Sequence, residues 1–207
     1  MEFQTIVKAR RSAMKFIKDI AISKEELENI LHQVKYAPSA YNLQHTQYLI
    51  ITDSDRKKEL YEVADKQYKI LTASAAILVL GDLNAYQSAG KLYEGMLNLG
   101  ILDKQEYDHQ VNSIVKFYES LGEQFMVEDA IRNASLSAML FMLAAKDKGW
   151  DTCPMYTFYP DKLKEMFNVP NHLIPVLLIT MGKEDTSNVR PRGYRKPIGE
   201  FVTYNSF

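Results

Sequence analysis

Residues 36–53 read YAPSAYNLQHTQYLIITD, and the parsing of this stretch decides the architecture. Pro38 pushes Ala37 out of the α region, so a helix arriving from the N-terminal side must stop there. The apolar run at 48–51 reads as a strand. Between the two lies a polar loop in which Ser39, Asn42 and Gln44 offer hydroxyl and amide groups that both donate and accept hydrogen bonds. Such a set suits a flat heteroaromatic ligand with alternating ring nitrogens and carbonyl oxygens. The same small residues also suit a plain helix-to-strand turn, and the loop alone leaves both readings open.

On the N-terminal side, Ser23 and Glu26 form a capping-box pattern with Ile22 and Leu27 as a hydrophobic staple across it. Leu27, Ile30, Leu31 and Val34 then repeat at helical spacing and carry the chain to Ala37. Earlier still, Phe3, Ile6 and Val7 share one face of a short first helix that ends near Arg10. On the C-terminal side, Asp53 or Ser54 can cap a helix with Leu60, Val63 and Ala64 inward. The apolar run 75–80, closed by Gly81-Asp82, predicts a strand buried on both faces. Residues 84–119 read as helices, with a fresh start at Asp103 and Glu106 and an apolar face of Tyr107, Val111, Ile114, Val115 and Tyr118.

Residues 126–148 are apolar nearly all round, with Ala134, Ser135, Ala138, Ala144 and Ala145 allowing close helix approach. Such a helix must be covered on most sides, and in a chain of this size a second subunit can supply part of that cover. This is the physical reason to expect a homodimer. Gly149 fits the position just past the helix end, and residues 150–155 read as a turn. A short helix with Leu163, Met166 and Phe167 opens at Tyr159-Pro160-Asp161, and 175–181 gives a third apolar strand.

With 207 residues, 46% of them apolar, the chain suits one domain with a substantial core over 1–207. Its 25 basic and 26 acidic side chains leave a net charge of −1, so nothing global favours nucleic acid or an anionic membrane. A single cysteine excludes an internal disulfide, and no charged segment followed by an apolar run opens the chain, which predicts a cytoplasmic location. The longest apolar run, 138–145, is far short of the roughly 20 residues that span a bilayer.

Charge is informative where it clusters. Arg10-Arg11-Ser12 near the start and Arg190-Pro191-Arg192-Gly193-Tyr194-Arg195-Lys196-Pro197 near the end are each either a phosphate site or a solvated basic turn. Cys153 has no sequence relation to the histidines at 32, 45, 109 and 172, which leaves a thiol nucleophile without an identified base. Those histidines show no ligand spacing, so no metal site is expected.

Taken in order, the RRS start, the APSxxNxQ loop, the G-x-D-T-x-P-M segment at 149–155 and the basic C-terminus resemble the nitroreductase family of FMN-dependent oxidoreductases. The resemblance spans nearly the whole chain. It implies an α+β, three-layer α/β/α fold with a central, mainly antiparallel sheet and an intertwined homodimer whose C-terminal tail reaches the partner subunit. It implies that Arg10, Arg11, Ser12 and Arg195, with Arg192 nearby, bind the FMN phosphate and ribityl end. Pro38, Ser39, Ala40 and Asn42 would cover the ring from the other subunit, while Pro154, Met155, Tyr156 and Thr157 would lie along its opposite side. Gln67 and Lys69 match a further cofactor contact. The implied chemistry is hydride transfer from NADH or NADPH to flavin N5 and then to a nitroaromatic or quinone acceptor, in a ping-pong sequence with no side-chain nucleophile.

There are three departures from the family pattern. Met14 stands where a cation is usual, His45-Thr46 replaces Pro-Trp, and Tyr156-Thr157 replaces a more glycine-like turn. These substitutions around the ring keep open a second reading, a protein that senses or stores flavin with little turnover.

Overall fold

The structure, a computed structural model, describes residues 2–188, apart from the side chain of Asn188, and residues 191–207. Helix α1 (Phe3–Ala9) buries only Ile6, leaving Phe3 and Val7 exposed. Helix α2 (Lys24–Val34) opens with both bonds of the capping box: the Glu26 N–H donates to Ser23 Oγ at 3.1 Å and the Ser23 N–H to Glu26 Oε2 at 3.0 Å. It ends ahead of Ala37-Pro38, as the proline requires. Strand β1 (Thr46–Ile51) starts two residues before the apolar run, because Thr46 and Gln47 pair with Gly81 and Leu80 through backbone groups that need no apolar side chain.

Asp53 caps α3 (Ser54–Val63), accepting from the Asp55 and Arg56 N–H groups. A single turn, α4 (Lys69–Thr72), leads into β2 (Ala75–Asp82). Helix α5 (Ala89–Asn98) is followed by the long α6 (Lys104–Asp147), then β3 (Asp151–Met155), α7 (Pro160–Met166) and β4 (Leu173–Gly182). The strands pair antiparallel in the order β1-β2-β4-β3.

Central strand β2 is buried on both faces, and its period of two divides the core. Ala75, Ile77 and Val79 face α2 and α6 with Ile30, Val34, Ala138 and Phe141. Ala76, Leu78 and Leu80 face the opposite layer with Leu60 of α3, Ile70 of α4 and Leu163 of α7. The result is the α/β/α sandwich that the motif resemblance implies. Gly81 permits the close approach of β2 to α6, since a Cβ there would lie 3.1 Å from Ala130 Cβ.

One sequence expectation is corrected. Residues 151–155, read as part of a turn, form β3, paired residue by residue with β4 from Asp151 opposite Gly182 to Met155 opposite Leu178. Pro154 disguises the strand, and it is tolerated because β3 is the edge of this sheet, where a missing N–H breaks no ladder. The two helices expected in 103–119 and 126–148 are the two arms of α6, which meet at a kink. At Gly122 the backbone turns through φ 75°, ψ −179°, a conformation nearly restricted to glycine, and so breaks the helix into two arms.

Candidate functional site: a basic cleft beside an edge strand

The N-terminal basic segment is anchored by the Phe16 side chain just beyond it. Phe16 is buried against Gly182, where an added Cβ would come within 2.8 Å of the ring, so only glycine lets the ring seat over β4. Backbone bridges join Phe16 to Glu184 and Ser12 to Thr152, and the Ala13 N–H donates to the Thr152 carbonyl at 3.0 Å. Residues 10–14 are thereby laid along the outer edge of β3. The C-terminal basic segment reaches the same place: Arg192 donates to the Arg10 carbonyl at 3.0 Å and to the Lys8 carbonyl.

Arg10, Arg11, Ser12, Met14, Arg192 and Arg195 consequently line one cleft of about 260 Å³. Arg11 is paired with Glu184 at 2.9 Å. Arg10, half-buried, is held below the usual guanidinium pKa by burial and then by the neighbouring Arg192 and Arg195 charges. Cations crowded with so little compensation make an anion site, and guanidinium forks beside a serine hydroxyl match a phosphate. The buried Thr152 Oγ1, paired with Ser12 across the bridge, has no hydrogen-bond partner among the described residues. The donor set therefore fits the phosphate end of FMN. Arg190, counted with this cluster in the sequence, lies outside the described residues.

The second group of expected residues runs out of the same strand. Pro154 and the buried Met155 end β3, and Tyr156 and Thr157 follow it, exposed. Lys69 joins them, its Nζ donating to the Sγ of buried Cys153 at 3.4 Å, whereas Gln67 sits half-buried in the turn before α4. Among the described residues no group of His, Cys, Asp or Glu could hold a metal ion.

The third group is elsewhere. Pro38 and Ser39 line a separate cleft of about 420 Å³ with Gln44, Tyr48 and Lys91, and Ala40 and Asn42 bound a single 3₁₀ turn, Ala40–Asn42. One chain thus joins both terminal basic clusters to β3 but leaves the 38–42 loop at its own cleft. In that loop Tyr41, Asn42 and Gln44 all adopt left-handed backbone, with φ of 50°, 55° and 53°. The Gln44 N–H donates to Ser39 Oγ at 3.0 Å, and the Ala40 N–H to Asn133 Oδ1 at 2.8 Å.

Sequence reading missed the residues beneath this loop. Asp129 is buried in α6, and its Oδ2 accepts from the Tyr118 hydroxyl at 2.6 Å and lies 3.1 Å from His45 Nε2. Burial pushes the His45 imidazole down from 6.5, overriding the opposite pull of Asp129 and Asp82, while burial and then Asp129 push the Tyr118 phenol up. Asn133, also buried, donates to the Asp129 carbonyl at 2.8 Å. Ser137 lies 2.6 Å from the Tyr48 hydroxyl, whose pKa burial raises to about 12. The available signal was Asp129, Asn133 and Ser137 at i, i+4, i+8, a polar row along one helix face.

The model of the nitroreductase family matches residues 7–183. The chain is 54% identical over 203 residues to the "Putative NAD(P)H nitroreductase MhqN" of Bacillus subtilis (strain 168), covering 98% of each. Its fold superposes on the crystal structure of a putative nitroreductase, ydfN, from Bacillus subtilis with a TM-score of 0.96 at 53% identity over 98% of both chains. A putative nitroreductase from Exiguobacterium sibiricum 255-15, solved in complex with FMN, gives a TM-score of 0.90 at 30% identity over 99% of this chain and 97% of that one. Sequence and fold agree, and this chain belongs to the nitroreductase family.

Proposed function

We propose that the protein is a homodimeric, FMN-dependent NAD(P)H oxidoreductase of one domain, acting on small electron acceptors such as nitroaromatics or quinones. The observation that carries this reading is the convergence of Arg10, Arg11, Ser12, Arg192 and Arg195 in one cleft beside β3, from opposite ends of the chain. In the family the phosphate and ribityl chain occupy such a site, and the arginine charges offset the dianion. Pro154, Met155, Tyr156 and Thr157 then border the ring on one side. Bound FMN supplies a centre, N5, that takes a hydride from NADH or NADPH and passes it to a second substrate. The chain's own part is to bind, to orient and to exclude water, so no side-chain nucleophile is required.

Dimerisation completes the site by bringing Pro38, Ser39, Ala40 and Asn42 of one subunit over the ring held by the other. Ile131, Leu136 and Met139 of α6 are exposed in the single chain, as are Ile198, Phe201 and Tyr204 of the C-terminal tail, and the partner covers this apolar surface. Among the described residues no helix is long and apolar enough to cross a membrane, and the one cysteine is buried; the cytoplasm suits both.

Steady-state turnover of NADPH with menadione or a nitrofuran tests the reading. Parallel double-reciprocal lines from a dimer are expected. Bound flavin that supports no turnover with either acceptor class would instead favour flavin storage or sensing.

A further inference from the structure

The 38–45 loop is costly to hold. Three of its non-glycine residues, Tyr41, Asn42 and Gln44, have left-handed backbone, which persists only where surrounding structure over-determines it. The structure shows what does so. The buried polar row of α6 meets this segment at successive points. Asn133 accepts the Ala40 N–H at the start of the loop, and Asp129 meets the His45 ring at its end. Ser137 meets Tyr48 on the strand beyond. Asn133 is also tied to Asp129, since its amide donates to the Asp129 carbonyl. A second clamp comes from α5, where the Tyr93 hydroxyl donates to the Tyr41 carbonyl at 3.1 Å.

A buried polar row in a helix core is expensive unless every member is satisfied, and an apolar row would pack as well. Its partners outside α6 are two loop residues and the strand just beyond. From this geometry we infer that Asn133 and Asp129 are positioning residues for the 38–42 loop, and that Asn133, holding Ala40 directly, sets the placement of the loop against the flavin of the partner subunit. This rests on the proposed assignment of that loop to the partner's flavin. Neither residue touches the reacting atoms.

Asn133→Ala leaves the half-buried Ala40 N–H without its acceptor and is expected to weaken FMN binding about tenfold. It should also alter the visible circular dichroism of bound flavin and raise KM for the acceptor more than it lowers kcat. Ser137→Ala, which loosens β1 but not the loop, should leave all three unchanged. Hydrogen exchange supplies a readout independent of cofactor: the Ala40 amide should be protected in the wild type and exchange faster in Asn133→Ala. Should Asn133→Ala fail to fold, Tyr93→Phe carries the test, with the same spectral and KM changes at smaller size. The inference is overturned if Ala40 exchange and the flavin spectrum are unmoved by these loop variants, or if Ser137→Ala moves them equally. A wild-type protein that binds no FMN, yet shows faster Ala40 exchange in Asn133→Ala, would refute the functional reading and leave the positioning role standing.

Discussion

Replacing Arg10 with glutamine should move stability and ligand affinity in opposite directions. The Arg10 guanidinium is half-buried, has no ion-pair partner among the described residues and faces Arg192 and Arg195, which together with burial depress its pKa. In the free protein it is therefore a source of repulsion, on the scale of about 0.5 kcal/mol for partly solvated pairs. Toward a phosphate the sign reverses. A unit charge at about 5 Å and an effective dielectric of about 20 gives roughly 3 kcal/mol per phosphate charge before screening. Discounted for the solvent in an open cleft, roughly 1–2 kcal/mol remains, equivalent to about 5- to 30-fold in Kd. Arg10→Gln is accordingly expected to leave the urea midpoint of the FMN-free protein unchanged or slightly raised while weakening FMN at low salt. Riboflavin, which lacks the phosphate, should bind both proteins alike, and the FMN difference should shrink as salt rises. Fluorescence titration with both flavins decides the matter. Equal weakening of FMN and riboflavin, or no change in either, would show that the cleft does not read phosphate.

Other substitutions probe separate parts of the molecule. His45 is held below 6.5 in the fold, so the unfolded chain takes up a proton first; stability should be flat above that pH and fall as pH drops below it, by up to about 1.4 kcal/mol per pH unit. The slope should diminish in His45→Gln, and an identical pH dependence in denaturant melts would contradict the burial of a neutral imidazole beside Asp129. Gly182→Ala places a Cβ 2.8 Å from the Phe16 ring and should cost about 1–3 kcal/mol, lowering Tm by several degrees; an unchanged melting temperature would mean that Phe16 does not seat there. Tyr156 is 80% exposed, so Tyr156→Ala should change stability by less than about 0.5 kcal/mol while altering KM for the acceptor, and an unaltered KM would remove it from the ring's surroundings.

The layers of the fold were legible because they rest on local rules: the capping box at Ser23, the stop at Ala37-Pro38 and the double-sided apolar run that became β2. The strand at 151–155 was not, because Pro154 reads as a breaker unless the strand is known to lie at a sheet edge. At the site, the two basic clusters were visible as charge, but only the tertiary fold could bring residues 10 and 195 to one cleft. The Asp129-Asn133-Ser137 row was passed over because Glu128, Arg132 and Ser135 are interleaved with it and its partners, Tyr118, His45, Ala40 and Tyr48, are mostly distant in sequence.

The most direct test of the central claim is an anaerobic optical titration of the purified, FMN-reconstituted protein. One flavin per chain is expected, absorbing near the visible flavin maximum and bleached by stoichiometric NADH or NADPH, with colour returning on addition of menadione. A protein that takes up no FMN, or whose bound flavin stays oxidised in excess of both nicotinamides, would contradict it.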